Sequence, residues 1–328
     1  MKILVTGGAG YIGAHTVREL VNRGYEVVVL DNMEYGYEKA LLGQAKLVLG
    51  NIADSALLDS LFQAEKPDGV MHFAAYKNVG ESVANPSKYF NNNVTGTLSL
   101  LDAMVRNNIN HFIFSSSCSV YGTPQNLPAS ETNNPFNPES PYALSKYMVE
   151  QILKWYDHSF GLRSISLRYF NAAGASFDSK IGEDWTMSLN LVPVVLKAAL
   201  GVTPKVLIFG NDYPTRDGTC VRDYIHVVDL ADAHVSALAH LKATNLTTSY
   251  NLGTGEGSTV QEVVDLAKRI SGVDFVAEVV PRRLGDPVGI WADTSKAEVE
   301  LNWKAKYGLE EIIRTAWEWH SSHPNGYK

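Results

Sequence analysis

Lys2-Ile3-Leu4-Val5-Thr6-Gly7-Gly8-Ala9-Gly10-Tyr11-Ile12-Gly13 opens the chain, and the order of residue types in it decides the fold. Ile3 to Val5 is a short apolar run of the kind that makes a buried strand. After Gly13 the apolar positions Val17, Leu20 and Val21 recur at helical spacing until Gly24 stops the segment. Strand, glycine turn and helix therefore follow one another without a gap. Glycines at 7, 10 and 13 permit a tight turn, close approach of the backbone to a pyrophosphate at the helix N-terminus, and close helix-strand contact. A glycine cluster by itself marks only a turn. Its place after a strand and before a helix meets the context required of a dinucleotide-binding turn.

The second strand, Glu26 to Leu30, ends at Asp31, 18 residues past Gly13. A carboxylate there accepts hydrogen bonds from ribose hydroxyls and repels a 2'-phosphate, which predicts NAD over NADP. No arginine between Asn32 and Lys39 offers such a phosphate a partner. The plainer reading makes Asp31 a strand-end turn residue. Further along, strand-like segments at Lys46 to Leu49, Gly69 to Phe73, His111 to Phe114 and Ser164 to Arg168 alternate with helical ones at Ser55 to Glu65, about Ser87 to Asn107, and around Tyr142. This is the α/β pattern of a Rossmann-type, doubly wound parallel sheet. We expect a dinucleotide-binding domain over 1–175 and a smaller α/β domain, mainly for substrate, over 176–328. The latter carries helices near Leu191 to Leu200, Val228 to Leu241, Val260 to Ile270 and Glu310 to His320. The alternation has no sharp end, so some of its elements can return to the sheet.

With 328 residues the chain can bury a sizeable core, and 35 acidic against 28 basic residues give a net charge of -7. Basic residues are too sparse for a phosphate-tracking stripe, so no nucleic-acid partner is expected. No apolar run reaches spanning length, and the first residues read as a strand and its turn, so the expected location is cytoplasmic, with no membrane partner. Cys118 and Cys220 are the only cysteines, without a Cys-x-x-Cys pair, which argues against a disulfide framework or a zinc site. No metal is expected. His320 and His323 lie in a polar tail and read as solvated.

Chemistry enters at Tyr142-Ala143-Leu144-Ser145-Lys146. On a helix, positions i and i+4 share a face, so the Lys146 ammonium is expected near the Tyr142 phenol, favouring its ionised form. A free phenol, with a pKa of about 10, is a poor base at neutral pH. One primed by a cation can take the proton from a substrate hydroxyl, as alcohol oxidation requires. Ser115-Ser116-Ser117 ends the fifth strand, where ligands of open parallel sheets sit, and Ser117 is placed to share a hydrogen bond with the phenol. Each feature alone has a bland reading, as a solvated helix face or a strand end. Together, Ser117, Tyr142 and Lys146 form one candidate catalytic site.

Several longer stretches carry a resemblance: Gly7 to Gly13, Phe73 to Ser82, Asn92 to Thr97, Ser115 to Ser117, Tyr142 to Lys146, Arg168 to Asn171 and, most specific of all, Phe209 to His226. From end to end the chain resembles the UDP-sugar 4-epimerases of the extended short-chain dehydrogenase/reductase family. The resemblance implies reversible interconversion of UDP-glucose and UDP-galactose: NAD takes hydride from sugar C4 while Tyr142 takes the hydroxyl proton, the 4-keto sugar turns, and the hydride returns to its other face. By the same resemblance NAD is held by Gly7, Gly10, Tyr11, Ile12, Gly13, Asp31, Asn32, Asn51, Ile52, Phe73, Ala74, Ala75, Lys77, Asn92, Ser115, Tyr142, Lys146 and Phe170. The UDP-sugar falls to Lys77, Ser117, Tyr142, Asn171, Asn190, Leu191, Arg222, Tyr224, Arg283, Asp286 and Ile290. Lys77 reads equally as a surface lysine, and Arg283 with Asp286 as a surface ion pair. Asn51 stands where the family leads us to expect an aspartate for the adenine amino group, and Ile290 where side-chain bulk bears on whether N-acetylated sugars fit. Nucleotide-sugar dehydratases share the fold but carry Asp-Glu where this chain has Cys118-Ser119. Relatives are commonly homodimers, and we expect one here through the helix after Tyr142 and the helix from about Ser87.

Overall fold

The computed structural model describes residues 1–132, 135–186, 188–283 and 286–328. Its first half runs β1 (Lys2–Thr6), α1 (Tyr11–Asn22), β2 (Glu26–Asp31), β3 (Lys46–Leu49), α2 (Ser55–Glu65), β4 (Gly69–His72), α3 (Val79–Ala84), α4 (Pro86–Tyr89), α5 (Thr97–Arg106), β5 (His111–Ser115), α6 (Pro141–Phe160) and β6 (Arg163–Tyr169). The second continues with β7 (Asn171–Ala173), α7 (Leu191–Ala199), β8 (Val206–Phe209), β9 (Val221–Arg222), β10 (Tyr224–His226), α8 (Val227–Thr244), β11 (Thr248–Leu252), β12 (Ser258–Thr259), α9 (Val260–Ser271), β13 (Ala277–Val280), β14 (Gly289–Ile290), α10 (Ser295–Glu300) and α11 (Leu309–Ser322).

Seven strands form one parallel sheet in the order β11-β6-β5-β4-β1-β2-β3. The chain winds outward from β1 through β2 to β3, then crosses back to β4 and winds the other way. The reversal beside β1 is the switch point at which such sheets bind ligands. Period-two alternation supplies both faces. Ile3, Val5, Val27, Val29, Met71 and Ile113 bury against α1 and α8, while Leu4, Val28, Leu30, Val70, Phe112 and Phe114 bury against α2, α5 and α6. Each fully buried Leu, Val or Phe of these faces stabilises the fold by about 1.5–3 kcal/mol.

Elements beyond residue 176 return to the sheet: β11 pairs with β6 at its edge, and α8 covers the β1 side. The remainder packs as a separate cluster, with α7, α9 and α11 around Trp185, Val195, Val264 and Ile313. One sequence expectation is refined and one corrected. The stretch expected as helical from about Ser87 to Asn107 is so, but it widens to a π-type turn over Phe90–Gly96 between α4 and α5. There the Thr97 hydroxyl donates to the Asn93 carbonyl at 2.7 Å, while the Asn93 side chain is drawn to the Tyr76 backbone. His320 is not solvated. α11 packs it into the second cluster, where its ring stacks on Trp185 with centroids 4.2 Å apart, and His323 stacks on Trp319.

Burial holds five histidines neutral, with pKa values pushed down to about 4 for His15 and His234 and about 3 for His72, His226 and His320. An unfolded chain takes up those protons below about pH 6.5, so this stability is present above that pH and lost as the pH falls toward 4. We predict a falling thermal midpoint between pH 7 and pH 5, and a shallower fall in His320→Phe. Parallel pH profiles for parent and variant would contradict this.

Candidate active site

Glycine geometry builds the floor of the site. Gly7 has φ +71°, and a Cβ there would lie 2.5 Å from the Ala74 nitrogen; one on Gly13 would lie 2.2 Å from the Gly7 carbonyl oxygen. Gly13 thus serves helix-turn contact, while Gly7 and Gly10 face an open cleft. Residues after four adjacent strands line it: Gly7 and Gly10 after β1, Asp31 and Asn32 at β2, Asn51 and Ile52 after β3, and Phe73, Ala74 and Ala75 after β4, with Asn92 opposite. Glu34, Tyr35, Gly36, Gly50 and Tyr76 line it too. Each is adjacent or close in sequence to a residue expected there.

Asp31 meets the requirement for a ribose acid. Its Oδ2 accepts from the Ala9 N–H at 3.0 Å and its Oδ1 from the Met33 N–H at 2.9 Å, which fixes the carboxylate at the cleft wall with lone pairs to spare. Burial raises its pKa, against the two backbone bonds. Asn51 Oδ1 accepts from the Ala53 N–H at 2.9 Å, so the side chain is held in a turn, with its amide group left for a ligand. A cradle without side chains, a fixed carboxylate and a narrow apolar wall suit a dinucleotide.

Tyr142 sits in the first turn of α6, which Pro141 starts and Ser140 caps by accepting from the Ala143 N–H at 3.2 Å. One turn on, the buried Lys146 ammonium donates to the Ser115 carbonyl at 2.7 Å and lies 4.9 Å from the Phe114 ring centre. The Ser117 hydroxyl hydrogen-bonds the Tyr142 phenol. All three candidates therefore meet at the carboxyl end of β5. Burial works against the expected priming of the phenol by Lys146. Burial raises the Tyr142 pKa, the neighbouring Tyr169 phenol adds to that, and only the Ser117 bond opposes it. Burial also drives the Lys146 pKa down to about 7, with Glu150 pulling the other way. The ammonium is spent on a backbone carbonyl, and the helix that brings the pair together also dries it.

Behind Lys146 lies a buried network that the sequence reading missed. Arg168 on β6 holds Glu150 on α6 at 2.7 Å, Ser116 donates to the same carboxylate at 2.6 Å, and the Arg168 guanidinium continues to the Tyr121 hydroxyl at 2.9 Å, itself donating to Asn251 at 2.8 Å. Glu150 follows Lys146 at helical spacing, the one signal that pointed to it. In comparable buried pairs, loss of one partner costs about 3–5 kcal/mol because the other charge is stranded.

The remaining candidates gather on short strands beside this edge. Tyr224 is paired with Asn171 in the β10–β7 register, and Ile290 with Arg222 in the β14–β9 register. Ile290 packs with Phe170 and Cys118. Asp223, between Arg222 and Tyr224, accepts from the Thr254 and Ala292 N–H groups at 2.9 and 3.0 Å and so fixes both neighbours. Arg283 and Asp286 do form an ion pair, at 2.9 Å, and Asp286 reaches Arg222 at 3.5 Å. Leu191 joins the apolar cluster that includes Tyr224, while Asn190 caps α7 without a side-chain bond. Outside the cleft lining, Tyr11 donates to the Gly174 carbonyl at 2.6 Å, Ile12 packs on the core, and Lys77 reaches Glu183 at 3.5 Å. Among the described residues no group of His, Cys, Asp or Glu could hold a metal ion.

A profile of the NAD dependent epimerase/dehydratase family matches residues 3–253. The chain belongs to this family. It is an enzyme, and its cofactor is NAD. Over its whole length it is 49% identical to the UDP-glucose 4-epimerase of Lactobacillus helveticus, covering 99% of that protein. It superimposes on the crystal structure of UDP-glucose 4-epimerase from Bifidobacterium longum in complex with NAD+ and UDP with a TM-score of 0.93 at 41% identity, covering 100% of each chain. The UDP-Glc/GlcNAc 4-epimerase of Campylobacter jejuni gives 0.88 at 40% identity, covering 98% of this chain and 99% of that one.

Proposed function

We propose that this enzyme interconverts UDP-glucose and UDP-galactose by reversible oxidation at C4, with Ser117, Tyr142 and Lys146 as its catalytic residues. The observation that carries the reading is the convergence of those three side chains at the carboxyl end of β5, beside a cleft fitted to a dinucleotide. Full-length identity to curated UDP-glucose 4-epimerases supports the sugar assignment. Residues 1–175 would hold NAD and 176–328 mainly the UDP-sugar. We place the protein in the cytoplasm, in keeping with two free cysteines and no helix among the described residues able to cross a membrane.

NAD, when bound, supplies the acceptor for the C4 hydrogen and a permanent positive charge on its nicotinamide ring. Tyr142 takes the 4-hydroxyl proton as that hydrogen leaves and returns it when the hydrogen comes back. Ser117 steadies the phenol oxygen through both steps. Lys146, fixed on the Ser115 carbonyl, favours phenolate in its ammonium form, against the burial that lowers its own pKa. Since the keto sugar must turn between the steps, binding belongs mostly to the nucleotide handle: Arg222 and Arg283 for the diphosphate, with Tyr224, Asn171, Asn190 and Leu191 beside them. Asp286 then releases part of its hold on the arginines. Dehydration is disfavoured, because burial pushes the Cys118 thiol up to about 12, out of range for acid-base work.

Two extensions follow. N-acetylated UDP-sugars are further substrates, with Ile290 bounding the space for the acetamido group. A homodimer forms through α6, where Leu144, Met148 and Trp155 lie exposed on one helical face.

Incubation of the purified enzyme with UDP-galactose and no added NAD should yield UDP-glucose, and UDP-N-acetylgalactosamine should be converted as well. Tyr142→Phe should lower kcat by at least about a hundredfold while still co-purifying with dinucleotide. A 4-keto-6-deoxy product, or an unimpaired Tyr142→Phe enzyme, would overturn the reading, and a monomer mass by sedimentation would overturn the dimer.

A further inference from the structure

Gly182-Glu183-Asp184 is held from three sides. The Tyr327 hydroxyl accepts from the Gly182 N–H and donates to the Gly182 carbonyl, both at 3.0 Å; Trp319 Nε1 donates to the Glu183 carbonyl at 3.1 Å; and the Tyr37 hydroxyl donates to Asp184. No side chain fits at Gly182, where a Cβ would lie 2.3 Å from the Trp319 ring. Tyr327 in turn stacks on Tyr37 with centroids 4.9 Å apart, and Lys39 donates to its carbonyl at 2.9 Å. With the backbone fixed on either side and at its own carbonyl, Glu183 has little freedom beyond its side-chain torsions.

Its carboxylate is dry, with the side chain 6% exposed, and its one ion-pair partner among the described residues is Lys77 at 3.5 Å. Lys77 is 62% exposed and directly follows the Phe73 to Tyr76 wall of the cleft. Asn93 anchors that wall too, accepting from the Tyr76 N–H at 2.9 Å and donating to the Tyr76 carbonyl at 3.0 Å. The Tyr11 hydroxyl lies within the electrostatic reach of Glu183. An ordinary surface ion pair has two wet ends and contributes little. This one sets a fixed, buried carboxylate against a flexible ammonium, and a buried charge without its partner is expensive.

We infer that Glu183 is a positioning residue: it holds the Lys77 ammonium at the junction of the dinucleotide wall and the segment leading to Asn190 and Leu191. This rests on the proposed reading of Lys77 as a cofactor and sugar contact. Lys77 alone could reach many places; tied to Glu183 it stays where both ligands come together. The pair also links segments from the two halves of the chain.

A double-mutant cycle on the full-length enzyme tests this, with UDP-galactose as substrate and thermal midpoint and dinucleotide content measured alongside. Lys77→Met and Glu183→Gln should each lower kcat/KM by roughly ten- to a hundredfold, and Lys77→Met, which strands the buried carboxylate, should also lower the midpoint. The double variant should be no worse than the poorer single. Lys77→Glu, which faces two carboxylates together, should fall at least about tenfold below Lys77→Met. Multiplying effects in the cycle, or a Glu183→Gln enzyme with parental kcat/KM, would overturn the inference. Should Glu183→Gln fail to fold, equal activity of Lys77→Glu and Lys77→Met overturns it instead. An inactive parent enzyme defeats the functional reading itself, whereas an active parent with indifferent variants defeats only the role of Glu183.

Discussion

A phenol and an ammonium share a sheltered place at the end of β5, and for both of them shelter opposes the charged form. Much of the molecule serves to keep them there. The parallel sheet delivers Ser115 to Ser117 to the edge where the glycine turn also ends. α6 sets Tyr142 and Lys146 one turn apart, and the Glu150 and Arg168 pair locks that helix to β6 from behind. Asn93, through its bond to Ser145 at 3.1 Å, locks the same helix to the π-type turn in front.

Most of the sheet was legible because its signals are local. The apolar run Ile3 to Val5, the glycines after it and the acid ending β2 lie close in sequence and depend on nothing distant. β11 was harder. Thr248 to Leu252 is short and partly polar, and it becomes a strand because β6, distant in sequence, offers an open edge. His320 was misread for a related reason: its polar neighbours describe one face of α11, while the other lies on Trp185.

The site shows the same division. Identities and spacing placed Ser117, Tyr142 and Lys146 together, yet they could not give the sign of the electrostatics. Spacing says how near two charges lie. It does not say how much water surrounds them, nor that a backbone carbonyl at 2.7 Å already engages the ammonium. Glu150 and Glu183 lie outside any motif, and Asp223 has no role assigned within the Phe209 to His226 stretch; each matters through partners that only folding supplies.

Burial therefore pushes Tyr142 toward the neutral phenol, and the positive charge that NAD would supply, with that of Lys146, favours its ionised form. The direct test is a tyrosinate absorbance titration of the parent enzyme, read against Tyr142→Phe, first stripped of dinucleotide and then loaded with NAD. The difference signal should titrate above the ordinary phenol value of about 10 when stripped and move to clearly lower pH when loaded. An identical titration in both states would contradict the account.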